Sequence, residues 1–298
     1  MSHSLKPIDQ QVMVITGASS GIGLATAKAA AAQGARVVLA ARSEDVLNQV
    51  VADINADGGD AICVIADVSD RSQVENIART AIDRYGRIDT WVNDAGLSIY
   101  GRLHEVSDED HRRLFDINFW GVVNGSLVAL PHLIKSGGAL INLGSEVSDA
   151  VVPLQGMYSA SKHAVKGFTD ALRVEIEEVD KSPISITLIQ PTAVNTPFPQ
   201  NAKNYMQHEP KLPTPQIDPF KVANAILDAA TNPTHDIKVG MMSKLNTAME
   251  KLMPTLAEKM SARQASRQQY DEPPRKPDGA LYRPSASGRV HGTGGHVK

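Results

Sequence analysis

The feature of this sequence that most constrains its fold is an alternation of short β-branched runs with longer amphipathic stretches, which continues along most of its 298 residues. The strand-length runs are residues 12–16, 36–40, 61–66, 88–92, 139–143, 184–189 and 236–239, and helical periodicity marks 22–33, 43–57, 69–85, 107–134, 157–180 and 219–230. Strands that alternate with helices are joined by right-handed crossovers and form a parallel sheet with helices on both faces. We therefore predict an α/β fold, a doubly wound parallel sheet of about seven strands.

Two regions interrupt this alternation. Residues 191–219 hold many prolines and polar side chains without a clear period, and loops of that length are usually functional lids or disordered segments. After Gly240 an amphipathic stretch continues to residue 270, and a tail rich in Pro, Gly, Ser and Arg follows. We therefore predict a domain at 1–240, a helical extension at 241–270, and an irregular tail at 271–298 that we expect to be solvated or arm-like.

A glycine-rich turn follows the first apolar run. Residues 12–23 present a buried strand, a turn and a helix start in the order that a pyrophosphate-binding site requires. Gly17 can adopt backbone angles that other residues avoid, Gly21 lets the main chain approach a phosphate, and Gly23 lets the helix pack on the strand. Because the spacing is G-x-x-x-G-x-G, an ordinary strand-to-helix turn remains the alternative.

The bulk composition favours a soluble globular protein. A net charge of -3 gives no reason to expect nucleic acid as a partner. The single cysteine, Cys63, lies in an apolar run, which indicates a buried thiol, and the histidines near the C-terminus lack neighbouring ligands, so no metal is predicted. The first ten residues lack the apolar segment of a secretory signal, and we expect a cytoplasmic location.

Three short motifs follow one another along the chain: Thr-Gly-Ala-Ser-Ser-Gly-Ile-Gly at 16–23, Asn-Asp-Ala-Gly at 93–96 and Tyr-Ser-Ala-Ser-Lys at 158–162. Together they resemble the short-chain dehydrogenase/reductase family, and the resemblance covers residues 11–240. It implies a single Rossmann-type domain that binds a nicotinamide dinucleotide at the carboxyl ends of its strands. It also implies oligomerisation through the helices at 107–134 and 157–180, as a homodimer or homotetramer.

The candidate catalytic residues are Asn118, Ser145, Tyr158 and Lys162. Tyr158 and Lys162 are one helical turn apart, so both can act on one substrate atom. An ammonium group and an oxidised nicotinamide both favour the phenolate, so we expect the pKa of Tyr158 to fall below its usual value of about 10. By resemblance, Ser145 holds the substrate oxygen, Lys162 binds the nicotinamide ribose, and Asn118 relays protons through water.

The cofactor is predicted to be NADP(H). Rossmann sites selective for NAD carry an acid at the end of the second strand, whereas here Ala41 takes that position and Arg42 follows. The alternative is that Arg42 is a solvated residue before a helix cap at Ser43. The remaining candidate cofactor-binding residues are Gly17, Ser19, Ser20, Gly21, Ile22, Gly23, Asp67, Val68, Asn93, Ala95, Gly96, Pro191, Val194 and Thr196, with Tyr158 and Lys162. The family often has Asn at Asp94 and Gly at Thr192, so this chain departs from the pattern there.

These residues predict an oxidoreductase that reduces a carbonyl, or oxidises a secondary alcohol, on a small hydrophobic substrate, with Tyr158 as general acid and base. The candidate substrate walls are Val147, Val152, Leu154, Met157 and Phe198, which flank the catalytic positions or lie in the 191–219 segment. The competing hypothesis is a cofactor-sensing binding protein on the same fold that has lost turnover.

An apolar stripe at helical spacing marks the extension, formed by Met242, Leu245, Met249, Leu252, Leu256 and Met260. Such a stripe most commonly packs against the domain or a sister subunit. Contact with a membrane surface is the alternative, which acidic residues in the same stretch disfavour.

Overall fold

The computed structural model describes residues 4–241 and 252–293 of the chain. Seven parallel strands form one sheet, namely Val12–Thr16 (β1), Arg36–Ala41 (β2), Asp60–Ile65 (β3), Thr90–Asn93 (β4), Ala139–Leu143 (β6), Ser185–Pro191 (β7) and Asp236–Val239 (β9). Their order across the sheet is β3-β2-β1-β4-β6-β7-β9, and a separate two-stranded sheet joins Ile99–Tyr100 (β5) to Lys203–Asn204 (β8). The predicted doubly wound parallel sheet is confirmed.

Helices cover both faces of this sheet. They are Gly21–Ala32 (α1), Glu44–Ala56 (α2), Arg71–Tyr85 (α3), Asp108–Phe115 (α4), Gly121–Ser136 (α5), Gly156–Arg173 (α6), Phe198–Asn201 (α7), Pro219–Ala229 (α8) and Pro254–Ala262 (α9). Along β1, Val12 and Val14 belong to the apolar core on one face, and Met13 and Ile15 to the core on the other. Fully buried strands therefore read as continuous apolar runs.

The strand order reverses beside β1, because β1 pairs with β2 on one side and with β4 on the other. Crossovers on the two sides of this point leave in opposite directions, so a crevice opens at the carboxyl ends of the strands. This crevice is where an open α/β sheet binds its ligands.

Two helices that periodicity predicts as continuous contain π-helical turns. The first, Asp116–Trp120, joins α4 to α5, and the second, Val174–Val179, extends α6. The segment Asp108–Ser136 is long and apolar enough to cross a membrane, but 61% of its most apolar window is buried inside the fold. Burial of this kind is what a core helix of a sheet domain requires.

The 191–219 segment and the tail are more ordered than the sequence predicts. Within 191–219, α7 and β8 form, and Val194 makes a parallel bridge to Ile217. The expectation of a solvated, arm-like tail is wrong at Ala280 and Leu281, which are buried against the domain, whereas most of the described tail residues are exposed. Local composition cannot encode such contacts with a distant surface.

The apolar stripe of the extension is only partly described. Met242, Leu245 and Met249 lie outside the described residues. Leu252, Leu256 and Met260 are 80%, 43% and 45% exposed in the single chain. The described half of the stripe therefore does not pack into its own domain.

Candidate active site

The glycine-rich turn between β1 and α1 is built for close backbone approach. Gly17 has a φ of +72°, and a Cβ there would lie 2.9 Å from the backbone of Ala95. A Cβ at Gly23 would lie 2.6 Å from the carbonyl oxygen of Gly17. Both positions exclude any side chain, so the turn surrounds the N-terminus of α1 with backbone alone, and a helix N-terminus favours an anionic ligand. The residues present fit a dinucleotide pyrophosphate.

One cleft at the carboxyl ends of the strands gathers most of the predicted site residues. From the predicted catalytic set it is lined by Ser145, Tyr158 and Lys162, and from the predicted substrate walls by Val147, Val152 and Phe198. From the predicted cofactor set it is lined by Gly17, Ser19, Ser20, Gly21, Ile22, Arg42, Asp67, Val68, Ala95, Gly96, Pro191, Val194 and Thr196. Their roles remain predictions, but the fold brings them to one place.

Tyr158, Ser145 and Lys162 form a compact group. The Tyr158 hydroxyl is hydrogen-bonded to the Ser145 side chain. The Lys162 ammonium lies 5.9 Å from the Tyr158 ring centroid and donates a hydrogen bond of 2.7 Å to the carbonyl of Leu143, at the end of β6. Helix α6 and strand β6 thus place a hydroxyl pair and an ammonium at one end of the cleft.

Burial dominates the protonation of Tyr158. It raises the pKa of Tyr158 to about 12, against the opposing effect of the Ser145 hydrogen bond. The expected lowering of this pKa is therefore wrong for the protein by itself. A phenolate in this position needs an additional positive charge, which an oxidised nicotinamide would bring.

A buried carboxyl group stands beside Lys162. Burial raises the pKa of Asp94, while the positive charge of Lys162 and a hydrogen bond from the Gly23 amide oppose that rise. Burial likewise lowers the pKa of Lys162, and the charge of Asp94 opposes that fall. The departure from the family's Asn at this position therefore acts on the electrostatics of the candidate catalytic lysine.

Five predicted site residues do not line the cleft. Gly23 supports the turn from behind, and Asn93 donates to Asn142 at 2.8 Å within a buried polar network. Leu154 and Met157 were predicted as substrate walls, but Leu154 has a φ of +67° in the turn before α6, and Met157 packs into the core. Neither reaches the cavity.

Asn118, the fifth, lies in the first π-helical turn and is fully buried. Its side-chain oxygen accepts from the amide of Leu97 at 2.9 Å, and its nitrogen donates to the carbonyl of Leu97 at 2.9 Å and to Ser161 at 3.1 Å. The described contacts of Asn118 therefore clamp the segment after β4, and the predicted proton relay to Lys162 stays a prediction.

The adenosine end of the cleft is strongly hydrogen-bonded. The Asp67 carboxylate pairs with Arg113, and it lies 3.8 Å from Arg42. Arg42 also donates to the tail carbonyls of Ala280 and Leu281. Its side chain is 22% exposed, so the alternative of a freely solvated arginine does not apply.

Several residues that line the cleft were not predicted from the sequence. Gln155 lines the substrate end, where it accepts from Ser98 at 2.9 Å. Further walls come from distant parts of the chain, namely Leu212, Pro213, Ala280, Pro284 and Ser285. The prolines and small residues of these segments carry no periodic signal, so only the tertiary structure reveals them.

Comparisons with known proteins agree with this geometry. Residues 11–207 match the family model described as short chain dehydrogenase. The uncharacterised oxidoreductase YxnA of Bacillus subtilis is 42% identical over 283 residues, which cover 93% of this chain and 79% of YxnA. That coverage includes most of residues 242–298.

Two solved structures share the fold. A short-chain dehydrogenase/reductase from Burkholderia phymatum, in complex with NAD, has a TM-score of 0.76 at 27% identity, over 85% of this chain and 96% of its own. An alcohol dehydrogenase from Thermococcus sibiricus, complexed with 5-hydroxy-NADP, has a TM-score of 0.68 at 28% identity, over 77% of this chain and 95% of its own. The protein is thus an oxidoreductase that belongs to the short-chain dehydrogenase/reductase family, whose members bind a nicotinamide cofactor.

Proposed function

We propose that this protein is an NADP(H)-dependent oxidoreductase that reduces a carbonyl, or oxidises a secondary alcohol, on a hydrophobic substrate. The observation that carries the proposal is the arrangement of the cleft, with the Tyr158–Ser145–Lys162 group at one end and the glycine-rich turn at the other. A dinucleotide lying along the cleft would bring its nicotinamide to Tyr158.

The side chains divide the work of carbonyl reduction between them. A bound reduced nicotinamide supplies the hydride that adds to the carbonyl carbon. Tyr158 donates its proton to the carbonyl oxygen, which gives the alcohol, and Ser145 donates a hydrogen bond to the same oxygen. Lys162 stabilises the resulting Tyr158 phenolate until solvent restores the proton, and the opposite transfers describe alcohol oxidation.

Arg42 supports the choice of NADP(H). Its guanidinium lines the cleft beside Asp67, and Ala41 stands where NAD-selective sites carry an acid. A planar guanidinium can bind a 2′-phosphate through two parallel hydrogen bonds. Arg42 donates one N–H from each of its two terminal nitrogens to a tail carbonyl, which leaves a second N–H on each nitrogen for a 2′-phosphate.

The substrate end of the cleft supports a hydrophobic carbonyl compound. Its walls are Val147, Val152, Phe198, Leu212 and Pro213, and the Phe198 ring lies 5.4 Å from the Tyr158 ring. Apolar walls around a few polar groups are typical of sites for ligands with a large apolar surface.

The decisive experiment is a panel of ketones and aldehydes, from acetone-sized to steroid-sized, assayed by consumption of NADPH and, in parallel, of NADH. We expect turnover to be fastest with a bulky apolar carbonyl and with NADPH. Absence of turnover across the panel, with dinucleotide binding intact, would favour a cofactor-sensing protein instead. A preference for NADH would overturn the NADP(H) assignment alone.

We also propose a homo-oligomer, either dimeric or tetrameric. Large apolar side chains are exposed along the two long helical segments that carry the π turns, with Trp120, Val174 and Val179 at 51%, 55% and 71% exposure. Contact between copies of the chain would bury these apolar side chains, which are otherwise exposed to water. Light scattering on the full chain tests this, and a monomer at micromolar concentration would contradict it.

A further inference from the structure

The cleft continues beneath the C-terminal tail. One cavity extends from Arg42 and Asp67 to Gln155 and Tyr158, and Ala280, Pro284 and Ser285 line it together with the turn residues of the domain. Because the same cavity is lined on one side by the domain and on another by the tail, the tail forms an additional wall of the cleft and does not fill it.

The tail is fastened to both rims of the cleft. On the β2 rim, Arg42 and Ser43 donate side-chain hydrogen bonds to backbone carbonyls of the tail, Arg42 to Ala280 and Leu281, and Ser43 to Ser285. At the glycine-rich turn, the amide of Gly21 donates to the carbonyl of Arg289 at 2.9 Å. These contacts span the adenosine and pyrophosphate parts of the predicted site.

The opposite rim is the segment after β7. There the amide of Gly292 donates to the carbonyl of Asn195 at 3.4 Å, and the imidazole of His291 lies 2.9 Å from the carboxylate of Asp218. The tail therefore crosses the cleft from β2 to the loop that precedes α8.

Two features fix residues 279–281, where the tail begins to cross the cleft. Leu281 is fully buried and belongs to the same apolar cluster as the cleft residues Ala66 and Val68. Gly279 has a φ of +54°, and a Cβ there would lie 2.4 Å from the carbonyl oxygen of Ala202. Any side chain at residue 279 would therefore displace the start of the segment that crosses the cleft.

We propose that residues 280–292 form a strap that encloses the adenosine half of the bound dinucleotide and limits its release. The strap adds Ala280, Pro284 and Ser285 to the cofactor site, from a part of the chain outside the matched family segment. Release of the dinucleotide requires the contacts with Arg42, Ser43 and Gly21 to break, so the strap lengthens the residence time. The inference rests on the proposed function only in taking the ligand of this cleft to be a nicotinamide dinucleotide.

Two variants detach the strap by independent means. Leu281→Ala removes the buried side chain that anchors the strap. Gly279→Ala adds a Cβ that clashes with the carbonyl oxygen of Ala202 and displaces the start of the strap. The matched control is Leu256→Ala, the same truncation at an exposed leucine of α9. The full-length proteins are loaded with NADPH, and separately with NADH, and release is followed by the loss of nicotinamide fluorescence after addition of excess oxidised dinucleotide.

We expect the dissociation rate to rise about tenfold or more in both strap variants, and to stay at the parental value in Leu256→Ala. Tighter dinucleotide binding in the strap variants would overturn the proposal, because it would identify the tail as a competitor of the cofactor. An unchanged dissociation rate in both would overturn it as well. Since the assay contains no carbonyl substrate, its outcome is independent of whether the protein turns over a carbonyl.

Discussion

The sheet domain and the C-terminal extension owe their order to different contacts. In the domain, each strand of the large sheet is hydrogen-bonded to a neighbour and helices cover both faces. The extension has one nine-residue helix, α9, among its described residues, and many of its described hydrogen bonds reach back to the domain. Gln268 and Tyr282 illustrate this, because their side chains contact Pro153 and Asp110.

This difference teaches which part of the molecule performs which task. The domain places the Tyr158 group and the glycine-rich turn on rigid elements, as chemistry requires. The extension contributes walls to a cleft that already exists, so it can alter access and residence without altering the reaction. Changes in the domain should therefore affect turnover, and changes in the extension should affect binding and stability.

The largest effect is expected from Tyr158→Phe. Loss of the proton donor should lower kcat for carbonyl reduction by about 1,000-fold, within the range of general acid catalysis, while the melting temperature changes little. Tyr100→Phe is the matched control, because the Tyr100 hydroxyl is buried and has no hydrogen-bond partner in the described part of the chain. Retention of most activity by Tyr158→Phe would show that Tyr158 is not the proton donor.

Arg42→Ala tests the point where the two regions meet. We expect kcat/KM with NADPH to fall about 10- to 100-fold, as for the loss of a charge-assisted hydrogen-bond pair, and kcat/KM with NADH to change much less. Arg36→Ala, at the exposed opposite end of β2, serves as the control. Equal losses with both dinucleotides would assign Arg42 to holding the tail and not to reading a 2′-phosphate.

Gln268→Ala asks whether the extension folds as one unit with the domain. Gln268 is fully buried, accepts from Gln155 at 2.7 Å and donates to the carbonyl of Pro153 at 2.7 Å. Its loss leaves both partners unsatisfied, and we expect the free energy of unfolding to fall by about 1–2 kcal/mol in urea titrations. The partly exposed Gln264, changed to Ala, provides the comparison. Equal stability of the two variants would show that these two hydrogen bonds do not couple the extension to the domain.

The smallest effect is expected from Asp94→Asn. The negative charge of Asp94 raises the pKa of Lys162, which burial lowers, so its removal should lower that pKa further. Because Lys162 must be charged to stabilise the phenolate, activity is lost as pH rises through its pKa. The alkaline limb of the pH profile should therefore move to lower pH, by about one pH unit. A shift to higher pH would contradict the pairing.

The sequence predicted the domain far better than the extension, for a physical reason. The bounds of β1 and β6 agree with the predicted runs, because buried parallel strands have a continuous apolar signature. The bounds of β9 agree as well, although no residue of this edge strand is buried. Most predicted cleft residues follow from strand ends, which the fold necessarily gathers at one edge. Leu154 and Met157 were misplaced because their direction depends on a turn with positive φ.

The tail shows the opposite case. Its composition predicts solvation, yet Leu281 is buried. This burial could not be predicted, because one apolar side chain among prolines and glycines has no periodic context. The contacts of its carbonyls with Arg42 depend on a surface more than two hundred residues away in the chain. Such contacts are a property of the assembled domain and are absent from any local window of the sequence.

The π turn that carries Asn118 has a consequence for how this chain can change by insertion and deletion. A π turn holds one residue more than the α-helix around it needs, so a single deletion within Asp116–Trp120 would restore a regular helix. Because the wider π turn absorbs that residue, the flanking turns of α4 and α5 keep nearly the same phase with or without it. A deletion there would therefore preserve the faces of both helices while moving Asn118 relative to Leu97. The surplus residue thus acts locally, on the segment after β4, and leaves the packing of α4 and α5 in place.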